Sequence, residues 1–188
     1  MVQPVPGRVC GGCTVCCKEL MINEPELKKP SGVLCTHCAP GQGCQIHANW
    51  PRLCREWFCG WRYMPQLDES WRPDRCGILV EVKGEEMDRS QLPEAFRQAE
   101  FALKFTLFGA RPNIGWRPLV NIVSVLISKG IPVLLATAGK PGYAAGQIFL
   151  NNNLRAAVAT RDFAAISGAL AQAFKQCADR PQEKLELP

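Results

Sequence analysis

Ten of the chain's eleven cysteines lie between Cys10 and Cys76, and only Cys177 falls beyond them. Thiols at that density either pair as disulfides or bind metal. The chain has 188 residues, 47% of them hydrophobic, so it can bury an ordinary core without cross-links. Its first residues, Met1-Val-Gln-Pro-Val-Pro-Gly-Arg8, lack the apolar run of a secretion signal. Later apolar windows are cut by Lys104, Arg117 and Lys129, so no membrane span is expected. The expected location is cytoplasmic, and in that reducing compartment clustered cysteines bind metal more often than they pair.

The spacing narrows the chemistry. Cys10-Gly-Gly-Cys13-Thr-Val-Cys16-Cys17 contains two successive C-x2-C steps around one loop. Cys35-Thr-His37-Cys38 is a further knuckle, followed by Gly43-Cys44-Gln-Ile-His47. Pro51-Arg-Leu-Cys54-Arg55-Glu-Trp57-Phe58-Cys59 forms a third cluster, and Cys76 closes the series. A C-x2-C knuckle presents both sulfurs to one ion, and two knuckles complete a tetrahedron. Cys10/Cys13 with Cys35/Cys38 reads C-x2-C-x21-C-x2-C, a slightly longer gap than in zinc ribbons. Cys16, Cys17, Cys44, Cys54, Cys59 and Cys76 are then left over, which implies two centres or one multinuclear cluster.

Zinc is the expected metal. An iron–sulfur cluster is the alternative, because Cys10, Cys13 and Cys16 match the first three positions of a ferredoxin run whose fourth falls on Leu20. His37 and His47, the only histidines, sit among the cysteines. With ten thiols available, His37 is read as a knuckle spacer and His47 as a packing residue, although Cys3His sites keep both in view as ligands. Trp50, Trp57, Phe58 and Trp61 are read as the small core of this module. Arg52 and Arg55 either offset thiolate charge or are simply solvated.

These motifs together resemble the YkgJ-like cysteine-cluster family of zinc- or iron-chelating domains. The resemblance rests on Cys10-x2-Cys13-x2-Cys16-Cys17, on Gly43-Cys44-x-Ile46, on Pro51-x2-Cys54-Arg55 before Cys59, and on Arg72-Pro-Asp-Arg-Cys76-Gly77. It covers residues 10 to about 77 and implies a metal-binding role for all ten cysteines. Trp50 stands where the family usually has arginine, and His47 where tyrosine is common.

Beyond Cys76 the composition becomes ordinary, so the expected domains are 1–76, a metal-bound module with little regular structure, and 77–188, an α+β domain. There the pattern predicts a strand over Ile78–Lys83, a helix from Pro93 to Phe108, a helix from Pro118 to Lys129, and a strand over Ile131–Thr137. A glycine-rich connection, Gly139–Gly146, leads to a strand through Leu150, a turn at Asn151-Asn152-Asn153 and another strand over Leu154–Ala159. Thr160 is expected to cap a last helix running to Ala178, whose buried stripe is Phe163, Ile166, Leu170, Phe174 and Cys177. A small antiparallel sheet with helices on one face and a frayed tail from Arg180 complete the expectation.

Charge adds little. Residues 1–76 carry nine Lys+Arg against seven Asp+Glu, and the rest thirteen against ten. No basic stripe marks a nucleic-acid partner. A protein partner remains open, as does an enzymatic role. Gly139-Lys140-Pro141-Gly142 lacks the upstream glycine and the Ser/Thr of a phosphate loop.

Overall fold

Short elements separated by glycine and proline are all the first part of the chain can form, because its apolar residues never hold one period for long. The computed structural model describes residues 3–46, 49–84, 87–109 and 112–186, so His47 lies outside the described residues. The chain divides into two units, the first being Met1–Val80 with Ala138–Ala145 and Gln182–Pro188, the second Glu81–Thr137 with Gly146–Pro181.

The first unit opens with helix α1 (Val15–Glu19) and the antiparallel strands β1 (Ile22–Glu24) and β2 (Leu27–Lys29). A second minimal hairpin pairs β3 (Cys38–Ala39) with β4 (Gly43–Cys44) and sets Cys38 opposite Cys44. Three single-turn helices follow: α2 (Arg52–Glu56), α3 (Gly60–Tyr63) and α4 (Pro73–Cys76). Pro73 begins α4, where a missing N–H costs nothing, and Gly77 ends it in the left-handed region at φ 71.

Trp61, Leu67 and Trp71 are almost wholly buried and form the apolar centre of this unit. Trp50, Trp57 and Phe58 are only half-buried. Arg8 reaches back so that its guanidinium donates to the carbonyls of Trp61 and, at 3.0 Å, Met64.

The glycine-rich connection is more than a linker, since Gly142 N donates to Ser31 O at 2.9 Å. Residues near the C-terminus are also tied in: Ala144 N donates to Glu183 O and Leu185 N to Gly142 O, each at 2.8 Å. The tail expected to fray is therefore held over residues 183–185 by main-chain pairing.

The chain passes from the first unit to the second within strand β5 (Ile78–Lys83). Then come β6 (Ala102–Leu107), α5 (Arg117–Ser128), β7 (Val133–Thr137), β8 (Gly146–Phe149), α6 (Leu150–Thr160) and α7 (Phe163–Ala178). The four-stranded sheet has the order β5-β6-β7-β8. Strands β6 and β7 run parallel and β7 and β8 antiparallel, so the sheet is mixed and not antiparallel throughout. The reason is connectivity: α5 forms a crossover between β6 and β7, and a crossover returns the chain in the same direction.

Two further expectations are corrected. Residues 93–108 do not form a helix: only a 3-10 turn at Glu94–Phe96 forms, and Ala102–Leu107 is a strand in the sheet interior. The alternation of Leu103, Phe105 and Leu107 with Lys104 and Thr106 suits a pleated surface, and pairing with β7 decides between the two periods. Asn151–Asn153 and Leu154–Ala159 are not turn and strand but parts of α6. Asn151 is buried, with Oδ1 accepting from Val133 N and Nδ2 donating to Ile131 O, both at 2.8 Å. A side chain that satisfies two main-chain groups at the start of a strand serves as an interior clamp.

In α7 the N-cap is Asp162, whose carboxylate accepts from Ala165 N at 2.8 Å. Ile166, Leu170 and Cys177 are buried as expected, joined by Ala173, while Phe163 and Phe174 are half-buried. Helices α5, α6 and α7 all contact β7, and Leu103, Phe105, Leu135 and Val133 are sealed in the interior. Alternate residues Lys104, Leu134 and Phe149 form a cross-strand row on the other side of the pleat.

Candidate metal centre

The first unit brings its first cysteine loop onto the β3–β4 hairpin by backbone contacts that only glycine permits. Gly43 has φ +81, and a Cβ there would lie 2.0 Å from Gly11 O; a Cβ on Gly12 would lie 2.6 Å from Gly41 O. The first cysteine loop thus packs directly on the β3–β4 hairpin, backbone to backbone. Cys13 N closes the loop by donating to Cys10 O at 2.9 Å. The second knuckle is tied to α1 by Cys35 N donating to Cys17 O at 3.0 Å, and closed by Cys38 N donating to Cys35 O at 3.0 Å.

All eleven cysteines are free thiols. Electrostatic neighbourhood sorts the ten clustered ones into a set of four and a set of six. Cys59 feels Cys10 and Cys13, Cys76 feels Cys13, and Cys13 feels Cys10. Cys17 exchanges side-chain hydrogen bonds with Cys16 and Cys38 and feels Cys44. Cys54 feels Cys17, Cys35 and Cys44, as Cys38 feels Cys17, Cys35 and Cys44. The two sets touch electrostatically through Cys10 and Cys17. Cys10/Cys13 and Cys35/Cys38, the two knuckles of the C-x2-C-x21-C-x2-C spacing, thus lie in different electrostatic neighbourhoods.

In the four-thiol set, burial pushes the Cys59 and Cys76 thiols up to about 11. Main-chain groups oppose that shift, those of Arg62 and Trp61 at Cys59, Ile78 at Cys76, and Val15 and Asp74 at Cys13. The Cys76 thiol also donates to the carbonyls of Trp71 and Ile78, each at 3.4 Å. Cys10 is raised by burial against the lowering influence of Arg62 and Arg72. Arg72 also donates to Cys10 O at 3.1 Å and lies 2.9 Å from Asp74 Oδ1, though that approach of its Nε is misaligned for a hydrogen bond. Nε and Nη1 of Arg62 and Nε1 of Trp61 are buried and find no acceptor among the described residues. Buried donors without partners are costly and ask what they were placed to meet.

In the six-thiol set the Cys17 thiol is driven far up, first by its hydrogen bond with Cys16 and then by burial, and Cys38 is raised by burial. Burial lifts Cys54 to about 11. Trp50 Nε1 donates to Cys44 Sγ at 3.2 Å. Beside Cys16, Cys17 and Cys35 lies Lys29, 3% exposed, whose Nζ meets the carbonyls of Lys18, Pro30 and Val33 at 2.8–2.9 Å. Burial lowers its pKa and the neighbouring thiols raise it. Three acceptors need three N–H donors, which only the ammonium form has, so Lys29 is a fixed cation here.

Among the described residues, no three His, Cys, Asp or Glu side chains are drawn close enough to close on one ion. The sulfurs share neighbours without meeting at a point. Their chemistry still fits a thiophilic metal: four soft donors match one tetrahedral ion, and six exceed it. His37 is half-buried, with its carbonyl accepting from Gln45 N at 2.8 Å. Arg52 is exposed and pairs with Glu56 at 3.1 Å, so it serves α2 rather than sulfur. Lys29 and Arg62 were not singled out by sequence reasoning, whereas Arg72 entered it only within the Arg72-Pro-Asp-Arg-Cys76-Gly77 motif. A lone Lys at the end of β2 or a lone Arg in α3 has no spacing signature, and only burial reveals it. No protein-family model, curated protein or solved structure matches the chain.

Proposed function

We propose that this is a metal-binding protein whose first unit is organised by cysteine-bound zinc in two centres. Cys10, Cys13, Cys59 and Cys76 would hold one ion, and Cys16, Cys17, Cys35, Cys38, Cys44 and Cys54 a second centre with more sulfur than one ion needs. The carrying observation is the group of buried donors on Arg62 and Trp61 with no acceptor among the described residues. A tetrathiolate zinc site has a net charge near −2, and its sulfurs accept N–H donors. Arg62 and Arg72 supply the offsetting charge at Cys10 and Lys29 does so at the larger set. Zinc, when bound, would supply a cross-link that supplements the small apolar centre around Trp61, Leu67 and Trp71.

The sets differ in access. Two of the four, Cys59 and Cys76, are buried and Cys10 and Cys13 part-exposed, whereas five of the six in the other set are part-exposed. That contrast supports a structural role for the first and metal handling at the second. The resemblance to YkgJ-like chelating domains agrees with either. Iron–sulfur is a second reading for the larger set, where six thiols exceed one zinc and the Trp50 N–H to Cys44 sulfur bond would suit a cluster as it would suit zinc.

Metal analysis with an absorption spectrum, on chain purified anaerobically, tests the proposal. Zinc without colour is expected, and Cys59→Ser and Cys54→Ser should each lower the content of only their own set. Iron with sulfide would support the second reading. Metal-free chain with native first-unit amide protection would sink both.

A further inference from the structure

The second unit carries a pocket remote in kind from the cysteines. It is a cavity of about 520 Å³ whose lining includes Lys83, Lys104, Leu134, Gln147, Phe149 and Arg180. Lys104, Leu134 and Phe149 form its cross-strand floor, on the face of the pleat opposite Leu103 and Phe105. Leu92 and Met87, part of the apolar cluster with Leu134 and Phe149, also line it.

The charges there are hard to explain as packing. Glu81, 2% exposed, accepts from Lys83 at 2.8 Å, from Lys104 at 3.0 Å and from Thr106 at 3.3 Å. Lys104 lies on β6, inside the sheet, with its side chain only 16% exposed. An aliphatic residue there would extend the apolar cluster, and replacing buried ion networks by apolar residues is often stabilising. Two lysines also exceed what one carboxylate requires. Arg180, which donates to Gln147 O at 2.8 Å, adds a third cation, and Asp88 a second carboxylate. Among the described residues, three cations against two carboxylates leave a positive, half-apolar cavity.

We infer that this cavity binds a small organic anion with an apolar body, its phosphate or carboxylate head at Lys83, Lys104 and Arg180 and its body on Phe149 and Leu134. Charged groups fix orientation and apolar walls supply area, the usual division in small-molecule sites. The inference does not rest on the metal reading.

The test uses the full chain and phenyl phosphate, with inorganic phosphate and phenol as controls, read by amide chemical shifts. Phenyl phosphate should shift amides of residues 83, 104, 134, 147 and 149 saturably at millimolar concentration. Phosphate should bind more weakly and phenol not measurably. Arg180→Gln and Lys83→Gln should each weaken phenyl phosphate roughly tenfold. Arg180 is exposed and Lys104 still neutralises Glu81, so both variants should stay folded. No saturable shift, equal binding of phenol or of phosphate, or undiminished binding in both variants overturns the inference.

Discussion

Replacing Lys104 by Met probes the central energetic claim about the second unit. The Glu81 carboxylate is 2% exposed and held by Lys83 at 2.8 Å and Lys104 at 3.0 Å. Burial alone would raise its pKa, but Lys104 and then Lys83 outweigh burial and hold it below the usual carboxylate range. Removing one partner of a buried pair costs about 3–5 kcal/mol because the other charge is left stranded. Lys83 remains and keeps roughly half of the compensation, so Lys104→Met should cost about 2 kcal/mol. Methionine matches the lysine stem in volume, so little of that loss is packing. Native-state hydrogen exchange of the β6 and β7 amides reads this unit directly, and their protection should fall about 30-fold. The double variant Glu81→Leu/Lys104→Met should recover most of it, since no charge is then stranded. A loss under about threefold in the single variant would mean that water solvates the network and that the burial argument fails.

Acid should act through the same carboxylate. Its folded pKa lies below the unfolded value of about 4.3, so its stabilisation is complete above that pH and lost as pH falls through the folded value. Urea midpoints of the second unit should drop on such acidification, and Glu81→Gln should flatten that drop. Asn151→Leu strands the N–H of Val133 and the carbonyl of Ile131 and should cost about 3 kcal/mol by urea unfolding; an unchanged midpoint would refute the clamp. Gly43→Ala combines φ +81 with a 2.0 Å clash at Gly11 O, at a cost of roughly 3 kcal/mol. It should open the first cysteine loop, so maleimide labelling of Cys10 and Cys13 should accelerate, and unchanged labelling would refute the close packing.

Local signals carried much of the second unit. Proline at the start and glycine after the end mark α5, Ile78–Lys83 and Val133–Thr137 declare themselves as apolar β-rich runs, and the three-and-four spacing in α7 puts Cys177 in the core. Where local signals conflict, pairing decided. Ala102–Leu107 has a helix-compatible composition but lies between β5 and β7, and Asn151 looks like a turn residue until its amide is seen bridging Ile131 and Val133.

The cysteine region divides the same way. Sequence alone determined that ten thiols crowd 10–76, because clustering is a property of the chain itself. Which thiols share a neighbourhood was a tertiary decision. Cys10 and Cys13 join Cys59 and Cys76 through a long-range tie, Arg72 at the start of α4 donating to Cys10 O, while glycine packing holds the same loop against the β3–β4 hairpin. Sulfur is placed by where the backbone turns, and a turn is aimed by long-range contacts that spacing in the sequence does not encode. The same holds for Lys29, Arg62 and the Lys83–Glu81–Lys104 network, whose charges acquire meaning only through burial.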